Sequence, residues 1–155
     1  MNAHDVQRHL VCNKWKSPFY FLRQFVVLPN SNSFTSWEAD LLVCSKAGFL
    51  TEIEIKVSRQ DWRNDTKKDK FQNRPDGRRA YGWGFIKQFY YAVPREIAGD
   101  SDALVRMPQW AGLIAVSEDG TCEVAHQAET LDGHRKLSEK QLLKFARLAA
   151  VRIWT

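Results

Sequence analysis

Residues 37–58 constrain this chain more than any other stretch. Two strand-like runs, Trp37–Ser45 and Phe49–Ser58, are joined by Lys46-Ala47-Gly48, a turn that sends the second run back along the first. With Ser45 opposite Phe49, the numbers of every cross-strand pair add to 94, so Asp40 faces Glu54 and Glu38 faces Lys56. Strand side chains alternate, which puts Glu38, Asp40, Leu42, Cys44, Glu52, Glu54 and Lys56 on one face. Ala39, Leu41, Val43, Ile53, Ile55 and Val57 take the other, and this odd-numbered face reads as core.

The even-numbered face is chemically unusual. Directly paired carboxylates have Cβ atoms about 5 Å apart, where two charges repel by roughly 3 kcal/mol at an effective dielectric near 20. A hairpin selected for stability alone would alternate Glu with Lys across the pair. Four acids around Lys56 make sense if a divalent cation lies between them, and oxygen-only donors suit magnesium or manganese rather than zinc. Lys56 would then stabilise charge developing on a phosphate or orient an attacking water. The plainer alternative is a salt-bridged surface hairpin.

Asp40, thirteen intervening residues and then Glu54-Ile55-Lys56 resemble the signature of the PD-(D/E)xK, or restriction-endonuclease-like, nuclease superfamily. Three stretches resemble its MmcB-like DNA-repair branch more closely: Trp37-Glu38-Ala39-Asp40-Leu41-Leu42, Glu54 to Asp65, and Phe89-Tyr90-Tyr91-Ala92-Val93-Pro94. The resemblance spans roughly residues 35 to 95. It implies magnesium- or manganese-dependent hydrolysis of DNA phosphodiester bonds, with Asp40, Glu54 and the Ile55 carbonyl as metal ligands and Lys56 as the catalytic lysine. Many members add an acid from the N-terminal helix. This sequence has no Glu before residue 38, which leaves Asp5, and Glu38 is preferred as the completing acid because it faces Lys56.

The charge distribution agrees with a polyanionic partner. The chain of 155 residues carries a formal charge of +5. Residues 56–79 hold nine basic and four acidic side chains, so the whole excess lies there. Ser58-Arg59-Gln60-Asp61 resembles a capping box and opens a predicted helix from Arg59 to about Asn73. On such a helix Arg59, Arg63, Lys67, Lys70 and Arg74 form one stripe, with Asp61, Asp65 and Asp69 on the far side. That stripe, with Arg78 and Arg79 beyond it, is the expected seat of a DNA backbone. A mixed-charge solvated helix is the alternative. Trp83 and Phe85 either stack on bases or tuck beneath the sheet, and Gln88 is a candidate accessory residue at the start of the next strand.

The remaining periodicity predicts an N-terminal helix over 3–13, strands over Phe19–Leu28, Ile86–Val93, Trp110–Ser117 and Thr121–Gln127, and a C-terminal helix opened by the capping box Ser138-Glu139-Lys140-Gln141. Leu142, Ala146, Ala149 and Ile153 share one face of that last helix. The expectation is a single α/β domain over residues 1–155: a restriction-endonuclease-like core, α-β-β-β-α-β, whose mixed sheet is flanked by helices, with an added β-hairpin and C-terminal helix. No apolar run approaches the roughly 20 residues that cross a bilayer, and three scattered cysteines suit a reducing compartment, so a soluble cytoplasmic protein is expected. His9, Cys12, Cys122 and His126 lack zinc-finger spacing, and Cys12 and Cys122 read as buried small hydrophobes. The resulting expectation is a metal-dependent deoxyribonuclease in repair, recombination or restriction, acting as a homodimer if it cuts both strands. The competing expectation is a non-catalytic DNA-binding or assembly module on the same fold.

Overall fold

A computed structural model describes residues 1–19, 25–72 and 83–154. The order along the chain is α1 (Ala3–Cys12), β1 (Phe25–Ser31), β2 (Ala39–Ser45), β3 (Leu50–Ile55), α2 (Arg59–Asp65), β4 (Ile86–Pro94), α3 (Ser101–Arg106), β5 (Gly112–Val116), β6 (Cys122–His126) and α4 (Glu139–Trp154). Among the described residues six strands form one mixed sheet in sequential order. The β1–β2 and β2–β3 pairs are antiparallel, the β3–β4 and β4–β5 pairs are parallel, and β6 folds back antiparallel on β5.

The predicted hairpin register holds: Leu41 faces Ile53, Leu42 faces Glu52, Val43 faces Thr51 and Cys44 faces Leu50. Gly48 closes the turn at φ +86°, a left-handed conformation that favours glycine, and its N–H donates to Ser45 O at 2.8 Å. Of the predicted Phe19–Leu28 strand, residues 20–24 lie outside the described set, and the observed strand continues to Ser31. Its Pro29 is tolerated because β1 is an edge strand.

The reading of a single core face needs correction. Leu41, Val43, Ile53 and Ile55 do pack under α1, against Val6 and Leu10. The opposite face is covered as well: Leu42, Cys44, Leu50, Phe89 and Tyr91 form a second core with Trp62 of α2, Ala103 of α3 and Phe145 and Ala149 of α4. Ala39 joins this second core rather than the first. β3 and β4 are central and parallel, and such strands are buried on both sides. The acidic face of β3 is therefore an interior surface.

The box read at Ser138 forms in full, the one read at Ser58 forms only as a cap in which Ser58 Oγ accepts from Asp61 N–H at 3.1 Å, and α1 carries a box the sequence reading did not name. In α1 the Asn2 side chain caps Asp5 N–H while Asp5 returns a bond to Asn2 N–H. In α4 Ser138 and Gln141 exchange the equivalent pair. On α4, Phe145 is buried where Ala146 was expected; Ala146 is exposed, and the Ile153 side chain lies outside the described set. The short α3 was not foreseen. It supplies part of the crossover that a parallel β4–β5 pair requires, and Asp100 caps it by accepting from Ala103 N–H at 2.9 Å. Among the described residues no helix is long and apolar enough to cross a membrane.

Candidate functional site

β2 and β3 bring Asp40 and Glu54 together. Asp40 Oδ2 accepts the Ile55 N–H at 2.7 Å, which holds its carboxylate at the Glu54–Ile55 peptide. Burial, and then the charge of Glu54, push the Asp40 carboxyl above its ordinary pKa, partly opposed by that N–H. Two residues further on, Lys56 Nζ lies 2.9 Å from Glu54 Oε1. Asp40, Glu54 and Lys56 thus converge as the sequence predicts.

The helix that was to carry the basic stripe is much shorter than expected. α2 ends at Asp65, and a 3₁₀ turn follows at Asp69–Phe71; Asn73 and Arg74 lie outside the described residues. The shortening has a purpose in packing. Asp65 is fully shielded, and the chain turns after it so that two lysines reach back to β3. Lys68 Nζ sits 2.7 Å from both Glu54 Oε1 and Asp65 Oδ1. Lys70 Nζ sits 2.9 Å from Glu52 Oε1 and 2.9 Å from Glu54 Oε2. Lys56 also meets Asp65 Oδ1 at 2.8 Å and the more exposed Asp61 at 3.8 Å.

These contacts form a charge network of buried Glu52, Glu54 and Asp65 against buried Lys56 and Lys70 and the more exposed Lys68. Burial alone would raise the Glu54 pKa, but the charges of Lys70 and Lys56 and the hydrogen bonds of Lys68 and Lys70 outweigh it and hold the carboxyl at about 2. Glu52 goes the other way: burial raises it despite Lys70. Its Oε1 accepts from Trp37 Nε1 at 2.8 Å, while its Oε2 is buried with no hydrogen-bond partner among the described residues. Tyr91 donates to Asp65 Oδ2 at 2.9 Å, and burial followed by the charge of Asp65 raises its pKa.

Other predicted residues are placed elsewhere. Glu38 is exposed and precedes β2. Asp5 serves the α1 cap, and its helix covers the sheet face opposite α2. Arg59 and Arg63 bind Asp100, which docks α2 on α3: Arg63 Nη2 reaches Asp100 Oδ2 at 2.6 Å and Arg59 Nε lies 3.4 Å away. Lys67 is exposed and donates to Asn64. Lys70 is buried, so the stripe does not exist as one solvent face. Arg74, Arg78 and Arg79 lie outside the described residues. Trp83 is tucked into the core, donating to Lys70 O at 2.7 Å and packing against Trp37 and Trp110. Gln88 donates to Ala128 O. Cys122 is buried but Cys12 is exposed, contrary to expectation.

Glu52, Asp65, Lys68, Tyr91 and Trp37 belong to the network although the sequence reading gave them no role in chemistry beyond the acidity of Glu52. Parity places Glu52 on the face of Glu54, and that was the available signal. Nothing local distinguishes Lys68 from Lys67.

The donor set is oxygen-only, from carboxylates and a peptide carbonyl, and so matches a hard divalent cation in chemistry. Among the described residues no lysine or arginine pairs with Asp40 at ion-pair distance. Among the same residues no three Asp, Glu, His or Cys side chains stand grouped as a metal site, and Lys68 and Lys70 are paired with Glu52 and Glu54.

No protein-family model matches the chain, and a search of curated proteins found no match. The fold is similar to a solved structure, the SPO1766 protein of unknown function from Silicibacter pomeroyi. The two are 20% identical with a TM-score of 0.58, over 85% of this chain and 79% of that one. This likeness confirms the α/β architecture of a mixed sheet flanked by helices.

Proposed function

We propose that this chain is a metal-dependent deoxyribonuclease of the PD-(D/E)xK type, closest to the MmcB-like branch. The Ile55 N–H bond to Asp40 carries the reading, because it sets the second carboxylate beside Glu54 and the Ile55 peptide. The order α1-β1-β2-β3-α2-β4 supports a restriction-endonuclease-like core. Asp40, Glu54 and the Ile55 carbonyl would hold magnesium or manganese, which when bound supplies an acidified water and neutralises phosphate charge. Lys56, oriented by Glu54 and Asp65, would be the donor aimed at the scissile phosphate. Lys67 and the Arg74, Arg78, Arg79 segment would hold the DNA backbone, and a double-strand cut by one site per chain would require a homodimer.

A second reading, a non-catalytic DNA-binding or assembly module, is favoured by the lysines already paired with both Glu54 oxygens. Conversion of supercoiled plasmid to nicked circles separates the two. The nuclease reading expects magnesium- or manganese-dependent nicking that Glu54→Gln abolishes, and the module reading expects DNA retention with no nicking.

A further inference from the structure

Two lysines from one short segment neutralise the acids of β3, and they are held very differently. Lys70 has a side chain only 4% exposed, and its ammonium lies 5.5, 5.1 and 5.2 Å from the ring centroids of Trp37, Phe71 and Phe89. It is the one ion-pair partner of Glu52 among the described residues. Lys68 has a side chain 49% exposed, and no ring closes over it among those residues. The two oxygens it touches, Glu54 Oε1 and Asp65 Oδ1, are already met by Lys56 at 2.9 and 2.8 Å. Removal of Lys70 would strand a buried charge. Removal of Lys68 leaves every carboxylate it touches with another cation, and its flexible stem has open solvent to move into.

We propose, resting on the metal-site reading above, that Lys68 is a displaceable counter-ion. Its ammonium occupies Glu54 Oε1 in the metal-free protein and gives way when Asp40 and Glu54 take a divalent cation. Lys70 stays in its aromatic cage through the exchange. Because both cations compete for one oxygen, each weakens the hold of the other, and the coupling is reciprocal.

Calorimetric titration with manganese alone, on the wild type, Lys68→Met, Lys67→Met and Asp40→Asn, tests the exchange. Lys68→Met should bind manganese about tenfold more tightly than the wild type. Lys67→Met, which removes a neighbouring exposed charge that donates to Asn64, should change affinity by no more than about twofold. In the wild type, amine acylation read by mass spectrometry should increase several-fold at Lys68 on addition of magnesium, with Lys70 protected throughout. Equal affinity in the wild type and Lys68→Met, with binding lost in Asp40→Asn, would overturn the exchange and leave the metal-site reading standing. Binding to neither would remove both. Should Lys68→Met fail to fold, the wild-type acylation decides: unchanged Lys68 reactivity in a protein that binds manganese contradicts the proposal.

Discussion

Tyr91 on β4 donates its hydroxyl hydrogen to Asp65 Oδ2 at 2.9 Å, at the last residue of α2. Oδ1 of the same carboxylate faces Lys56 and Lys68, so one buried acid ties the helix to the sheet and to the proposed catalytic lysine. Tyr91→Phe removes a hydrogen bond to a charged group and is expected to cost about 1.5–3 kcal/mol. Asp65→Ala leaves Lys56 without one of its buried partners and should cost about 3–5 kcal/mol. Urea denaturation followed by circular dichroism reads both, and an Asp65→Ala protein as stable as the wild type would show that the network is dispensable.

Glu52 and Lys70 should behave as a unit. Lys70→Met leaves Glu52 inside the core with no ion-pair partner among the described residues, and Glu52→Gln leaves Glu54 as the one ion-pair partner of Lys70 among them. Each single change is expected to destabilise by a few kcal/mol, and the double variant by clearly less than their sum. A coupling of about 0.5–3 kcal/mol in a double-mutant cycle is the expected result.

The legible part of this fold was the part governed by local rules. Alternation and a tight turn gave the β2–β3 register, and the Ser138–Gln141 capping box marked the start of α4. The boundary of α2 was misread because Lys67, Lys68 and Lys70 continue a helical pattern. Buried Asp65 and Glu54 draw the chain into a turn instead, a tertiary demand that propensity does not register. The burial of Glu52 was hidden for a related reason. Acids on a strand read as solvent-facing unless the strand is known to be central and covered by α2 and α4. α3 left a weak trace in Asp100-Ser101-Asp102, a cap signal before a helix of only six residues.

Acid titration should report the α2–α3 contact. Asp100 is held down at about 2, first by its hydrogen bond from Arg63 and next by the Ala103 N–H. A depressed carboxyl stabilises the folded state above its ordinary pKa, and that contribution is lost as pH falls toward the folded value. The wild-type melting temperature should therefore fall between about pH 4 and pH 2 in a way that Asp100→Asn reduces. Identical pH profiles for the two proteins would show that Asp100 is not the group responsible.

The most direct test of the nuclease reading is single-turnover cleavage of labelled DNA with magnesium or manganese, using duplex, flap, junction and single-stranded substrates. Metal-dependent phosphodiester hydrolysis by the wild type is expected on at least one of them, reduced roughly a hundredfold or more in Asp40→Asn, Glu54→Gln and Lys56→Ala. Folded wild-type protein that binds these substrates yet cleaves none with either metal, or cleavage that survives all three substitutions, would contradict the nuclease reading.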